Sequence, residues 1–358
     1  MWSNIWHWIE RIKIKIDFVD FALGSGERAD GLWRGIEPSN RPGPNGFVLA
    51  TPRERTPVPC AAMPSPEPVA DIRVDADLVH ALLREQCPEL AELPLLEVAN
   101  GWDNAIFRLG DALCVRVPRR RVAAGLIEHE QRWLPALAAS LPLAIPVPVA
   151  CGRASDRFPF PWSVCRWFEG RSSFDAPPAD LGRAAEELGA FVKALHVPAP
   201  ADAPINPFRG IDLGERASRF DDSLPKAAAR RSLDASAAMA AWRRALAAPR
   251  WDGPPLWLHG DLHPANVLTH DGRLAAIIDF GDICAGDPAT DLAIAWMMFD
   301  APSRARFRAA VACDDATWSR AVGWATALAV AYIAHSPEGS PMIPIGVRTL
   351  QNTRQFAG

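Results

Sequence analysis

The sequence predicts an α+β fold of two lobes, a small strand-rich lobe followed by a larger helical one. Three observations carry that prediction. Between residues 95 and 117, short apolar runs are separated by the turn-forming pairs Asn100-Gly101 and Gly110-Asp111. After Glu169-Gly170 the apolar spacing switches to the helical period. Within the helical part, His259-Gly-Asp-Leu-His-Pro-Ala-Asn266 and Asp279-Phe-Gly281 set two carboxylates and an amide around short strands.

Residues 1–65 stand apart. Ile12 to Phe21 alternates apolar and charged residues like an exposed strand, and Pro38, Pro42, Pro44, Pro52, Pro57, Pro59 and Pro64 follow. So many prolines prevent a regular helix or a central strand, so this segment is expected to be a weakly ordered extension. Met63 offers an alternative translational start at its end.

Residues 66–167 read as the first lobe. Leu78, Val79, Leu82 and Leu83 define a helix over 75–87 that Pro88 closes. Strands are expected at 95–99, 105–109 and 112–117, a helix at 123–139, and two more strands at 147–152 and 162–167. Residues 168–358 form the second lobe. A helix is expected over 181–196, then a polar, proline-bearing connection over 199–225, then a helical pattern at 226–248. Strands near 256–258, 267–268 and 275–278 carry the motif, the last two joined by the hairpin turn Asp271-Gly272. Helices follow at 288–300, 303–312 and 315–335.

The bulk composition narrows the class. At 49% hydrophobic and 22% charged, the chain is globular, and a net charge of -4 lacks the basic field of a general nucleic-acid binder. No apolar run approaches the roughly 18 residues that cross a bilayer, and charges among the first twenty residues leave no apolar signal core. The 7 cysteines are an odd number without a CxxC pair, which fits free thiols in the cytoplasm.

The motif residues have a chemical logic. Pro264 and Gly260 keep 259–266 out of a helix, so Asp261 sits on a loop at a strand end. The following hairpin brings Asn266 and Asp279 together, facing Asp261. Phosphoryl transfer from a nucleotide needs a base for the acceptor hydroxyl and oxygen ligands for the magnesium ions on the phosphates, and these three residue types supply them.

HGDLHPAN, IDFGD and GDPATDLA together resemble the signature of the aminoglycoside and macrolide phosphotransferase family, small-molecule kinases with a protein-kinase-like fold. The resemblance spans about residues 70–335 and implies a γ-phosphate transfer from ATP or GTP, with Mg2+, to a hydroxyl of a small molecule. It implies Asp261 as the base, Asn266 and Asp279 as metal ligands, and Asp291 as a buried acid bracing the catalytic loop with His259. His263 takes the place where protein kinases carry a lysine near the transferred phosphate. Upstream, Gly101 and Asn104 lie in a segment similar to the family's nucleotide-covering hairpin, and Arg116 takes the place of the phosphate-contacting cation. Glu130 is its implied helix partner, with Glu128 as rival. Cys165 and Trp167 fall at the inter-lobe hinge.

Other readings compete. His259 and His263 form HxxxH, but Gly260 and Pro264 spoil the helix that would present two zinc ligands. Gly24-Ser-Gly26-Glu-Arg-Ala29 matches a dinucleotide fingerprint without the apolar strand it requires. A non-catalytic nucleotide-binding module and a kinase of an ordinary metabolite remain alternatives. The acceptor is open, because Asp202, Asp212, Glu215, Asp221 and Asp222 interleave with Arg209, Arg216, Arg219 and Lys226 and select no polycation. The oligomeric state is also open.

Overall fold

A computed structural model describes residues 70–100 and 103–356. The readings made for residues 1–65, for Met63 and for Gly101 lie outside these residues.

Asp75 caps the first helix, α1 (Ala76–Gln86), by accepting a hydrogen bond from the Leu78 N–H at 3.0 Å. Five strands follow: β1 (Leu95–Asn100), β2 (Asn104–Leu109), β3 (Leu113–Pro118), β4 (Pro148–Gly152) and β5 (Trp162–Arg166). They form one antiparallel sheet in the order β1-β2-β3-β5-β4. One face packs on α1 through Val79, Leu82, Phe107, Val115, Val117 and Trp162, an apolar core of its own. Between β3 and β4 runs α2 (Arg121–Ala138), whose buried positions 123, 127, 130, 134 and 137 follow the helical period. Its Leu134 and Leu137 join the core of the second half and tie the two parts together.

After the two-residue strand β6 (Arg171–Ser172) come α3 (Leu181–Leu195), α4 (Ala217–Arg230) and α5 (Ala235–Leu246). Here the structure corrects the sequence reading. The stretch 199–225 is not all connection: α4 starts at Ala217 and runs through Pro225, and the pattern at 226–248 is broken before Asp234 caps α5. Pro225 is exposed, so the Asp221 carbonyl that it leaves without an N–H faces solvent, while Phe220, Ser223, Leu224 and Ala227 keep one buried stripe.

The motif region is built from β7 (Leu256–Leu258), β8 (Val267–His270), β9 (Arg273–Ile277) and β10 (Cys284–Gly286). β8 and β9 form a hairpin whose Asp271 and Gly272 both have positive φ (50° and 72°), the turn geometry that Asp-Gly favours. β6 pairs with β8, and β10 pairs with β7. Short helices α6 (Ala289–Leu292) and α7 (Ile294–Met298) replace the single helix expected over 288–300. They are followed by α8 (Ala301–Val311), α9 (Asp315–His335) and α10 (Met342–Thr353). The central α9 is buried along most of its length, with α4, α5 and α10 packed around it. No helix among the described residues is long and apolar enough to cross a membrane.

Candidate functional site

The site lies where the five-stranded sheet meets the β8–β9 hairpin. A cleft there is walled above by Val98, Ile106 and Cys114 and below by Leu268 and Ile278, with Arg116 and Asp279 among its lining residues. Arg166, Trp167 and Phe168, leaving β5, close its back edge. Mostly apolar walls with a few convergent charges are the composition of a ligand cleft.

Arg116 sits mid-strand on β3, opposite Ile106 and Ser163. Its Nη1 reaches Glu130 Oε2 on α2 at 2.5 Å, with Glu130 only 1% exposed. Glu128 lies on the exposed side of that helix, so Glu130 is the residue that meets Arg116. Burial is the largest single influence and opposes the Arg116 charge, but the attraction and hydrogen bond of Glu130, together with the neighbouring Cys165 and Cys114, sum to raise the guanidinium's pKa. The second carboxylate oxygen of Glu130, Oε1, is buried without a hydrogen-bond partner.

The loop after β7 is held by Asp291 on α6. One oxygen accepts the Gly260 N–H (2.9 Å), and the other accepts the His259 N–H (2.8 Å) and lies 3.2 Å from His196 Nε2. Sequence reasoning missed His196, the C-cap of α3, because nothing local ties it to a residue 95 positions away. His259 lies 3.0 Å from the Ile278 carbonyl through Nε2 and accepts the Asp261 N–H at Nδ1. That pattern specifies the neutral Nε2–H tautomer, and burial lowers its pKa accordingly. Gly260 has φ +81°, and a Cβ there would sit 2.2 Å from the Asp282 carbonyl oxygen. Only glycine lets the loop close on the turn after β9.

Asp261 therefore has a fixed backbone. Its Oδ1 accepts from Arg209 Nη2 at 3.1 Å, and its Oδ2 lies 3.5 Å from His263 Nε2. His263 is buried, edge-on to Tyr332, with Nδ1 lacking a hydrogen-bond partner. Asn266 Nδ2 donates to the Asp261 carbonyl at 2.9 Å, and the Asn266 carbonyl accepts the Ile278 N–H at 2.9 Å. This leaves the amide oxygen of Asn266 as the atom it can offer a ligand. Asp279 follows β9 in the left-handed region (φ 70°, ψ 63°), a conformation that Asp tolerates better than most residues. Asp261, Asn266 and Asp279 are thus brought to one end of the hairpin.

The remaining sequence candidates divide. Trp167 lines the cleft, under the Arg108 guanidinium at 4.9 Å, and its backbone N–H is committed to the Ala112 carbonyl at 2.8 Å. Cys165 is fully buried opposite Cys114 and is not among the lining residues; burial pushes its thiol up to about 12 and that of Cys114 up to about 11. Asn104 is buried at the start of β2, its Oδ1 without a partner. Arg209, in direct contact with Asp261, was read from sequence only as one of several interleaved charges.

A small antiparallel sheet over a helical part, with an arginine–glutamate pair above and the loop-borne Asp261, Asn266 and Asp279 below, defines a kinase-like phosphotransferase fold. The profile of the phosphotransferase enzyme family matches residues 94–324, and the chain belongs to that family. Its members are phosphotransferases that act on hydroxyl groups, and so is this chain.

Solved structures agree at the level of the fold. The GDP complex of aminoglycoside 2′-phosphotransferase-IIIa superposes with a TM-score of 0.58 at 20% identity, covering 77% of this chain and 97% of that one. A macrolide 2′-phosphotransferase type I gives 0.51 at 19% identity, covering 74% and 92%. The macrolide 2′-phosphotransferase MphH from Brachybacterium faecium gives 0.50 at 19%, covering 72% and 90%. No curated protein matches the sequence.

Proposed function

We propose that this protein moves the γ-phosphate of ATP or GTP, with Mg2+, to a hydroxyl of a small molecule, and that residues 66–167 and 168–358 are its two working lobes. The single observation that carries the reading is the convergence of Asp261, Asn266 and Asp279 below a cleft whose upper wall bears Arg116, held from behind by the buried Glu130. Relatives of the same fold have been solved with GDP, which supports a purine nucleotide as donor.

The apolar walls, Val98 and Ile106 above and Leu268 and Ile278 below, would sandwich a purine ring. Arg116, fixed by Glu130, would reach the phosphates with a charge that cannot be titrated away at neutral pH. Asn266 and Asp279 fit Mg2+, because an amide oxygen and a carboxylate are hard ligands and so small a set leaves places for phosphate oxygens. Among the described residues no cluster of three or more His, Cys, Asp or Glu offers a softer metal a closed site. When bound, Mg2+ neutralises charge that builds on the phosphates.

Asp261 does the work on the acceptor. With one oxygen on Arg209 and its backbone fixed by His259 and Asn266, it presents a carboxylate to the acceptor hydroxyl, orients it in line and accepts its proton as the bond to phosphorus forms. His263, 3.5 Å from that carboxylate, orients it. The six described cysteines form no disulfide, which supports a reducing cytoplasm as the compartment. The test is nucleotide consumption by the full chain against a panel of hydroxylated compounds. Turnover that needs both Mg2+ and Asp261 supports the reading; turnover by an Asp261→Asn variant at the wild-type rate ends it.

A further inference from the structure

The geometry points to an acceptor that carries an anionic group, a carboxylate or a phosphate ester, seated on Arg216 and Arg219 while its hydroxyl faces Asp261. This rests on the kinase reading and gives its acceptor a chemical class.

The segment before α4 is locked in place. Gly210 has φ +67°, and a Cβ there would lie 2.7 Å from Leu258 Cδ1. Its N–H donates to Thr290 Oγ1 (3.0 Å), and its carbonyl accepts the Asp287 N–H (2.8 Å). This seats Phe208 and Arg209 beside the catalytic loop. Three guanidinium groups gather there. Arg209 holds Asp261; Arg216 donates to the Phe208 carbonyl at 2.8 Å and lies over Trp324 at 4.9 Å; Arg219 lies over the Phe208 ring at 4.2 Å. None of the three lines the nucleotide cleft.

Asp261 and Asp282 act on Arg209, whereas Arg216 meets no acidic group among the described residues beyond the neutral phenol of Tyr332. Arg216 is only 6% exposed, yet among the described residues it has no carboxylate within ion-pair distance, and its Nε is buried without an acceptor. Its surroundings are costly for a cation: burial, with Arg209 and Arg219 alongside, lowers its pKa to about 9. A buried guanidinium without a counter-ion is what an oxyanion ligand would complete, by charge-assisted and bidentate hydrogen bonds. The half-buried Arg219 gives that ligand a second cation on the open side. The uncompensated charge of Arg216 repels polyamines, so it selects against a polycationic acceptor here.

The probes are inorganic phosphate and, in parallel, glycerate, titrated into the full chain already saturated with Mg2+ and a non-hydrolysable ATP analogue. The nucleotide cleft is then closed to them. A saturable rise in melting temperature with either probe is expected. Arg216→Gln and the less buried Arg219→Gln should each weaken it on the order of tenfold or more in apparent affinity, with nucleotide affinity retained. No saturable response to either anion overturns the inference, as does a response that both variants keep unchanged. A response to kanamycin in place of the anions also overturns it. Failure of the kinase reading shows differently, as loss of Mg2+-dependent nucleotide binding in the wild-type chain.

Discussion

Arg116 on the sheet side and Arg216 on the helical side are both buried beside the site, but they are neutralised differently. Arg116 has Glu130 at 2.5 Å, a closed pair that holds its geometry without any ligand. Arg216 has a carbonyl oxygen, an indole face and two neighbouring arginines. A buried pair is stable when both partners are present and costly when one is removed, whereas a buried lone cation is costly as it stands. The difference teaches that the nucleotide side is organised in advance by the fold, while the acceptor side keeps an electrostatic deficit for its substrate to fill.

The largest effect should come from breaking the closed pair. Glu130→Ala strands a buried guanidinium and should cost about 3–5 kcal/mol of stability, measurable by urea unfolding; a loss within experimental error would show that the pair is not closed. Next comes the charge itself. Arg116→Ala should weaken nucleotide use, and Arg116→Lys should recover part of it by restoring a point charge without the planar fork. Equal KM for nucleotide in wild type and Arg116→Ala would remove Arg116 from the phosphates.

The helical side should respond in the opposite sense. Arg216→Met keeps the apolar stem over Trp324 and deletes a charge that nothing nearby neutralises, so the melting temperature should hold or rise. A fall as large as that of Glu130→Ala would erase the distinction between the two arginines. The smallest effect concerns thiols under the sheet. Burial holds Cys114 and Cys165 in the protonated form, at about 11 and about 12, so both should resist alkylation at neutral pH in the native chain. Among the six described cysteines the exposed Cys151 should be labelled first, and mass spectrometry of the labelled peptides reads the order.

The two sides also differed in how far they could be read from sequence. On the nucleotide side the cues are local: alternating apolar runs mark β1 to β3, Asp271-Gly272 marks the hairpin, and His259 to Asn266 with Asp279 marks the loop at its end. On the helical side, Pro225 reads as a helix breaker although it sits on the solvent face of α4, and α10 went unread. Short pieces such as β6 and β10 owe their shape to tertiary pairing, not to their own pattern. Above all, Arg209, Arg216 and Arg219 alternate in sequence with Asp212 and Glu215 and look like a solvated surface. Arg209 is buried against Asp261 and Arg216 against Trp324, with Arg219 half-buried over Phe208, where the chain turns at Gly210. The link between His196 and Asp291 is hidden for the same reason: it is made by packing alone.

The central claim is that Asp261 serves the acceptor while Asp279 serves the metal-bound nucleotide. It is tested most directly by titrating ATP into wild type, Asp261→Asn and Asp279→Asn, with and without Mg2+, beside turnover of an active acceptor. Asp261→Asn should bind nucleotide with Mg2+ as the wild type does, while turnover falls on the order of 10²-fold or more. Asp279→Asn should lose both turnover and the Mg2+-dependent part of nucleotide affinity. If the two variants instead lose nucleotide affinity and turnover in equal measure, the division of labour between the two carboxylates is contradicted.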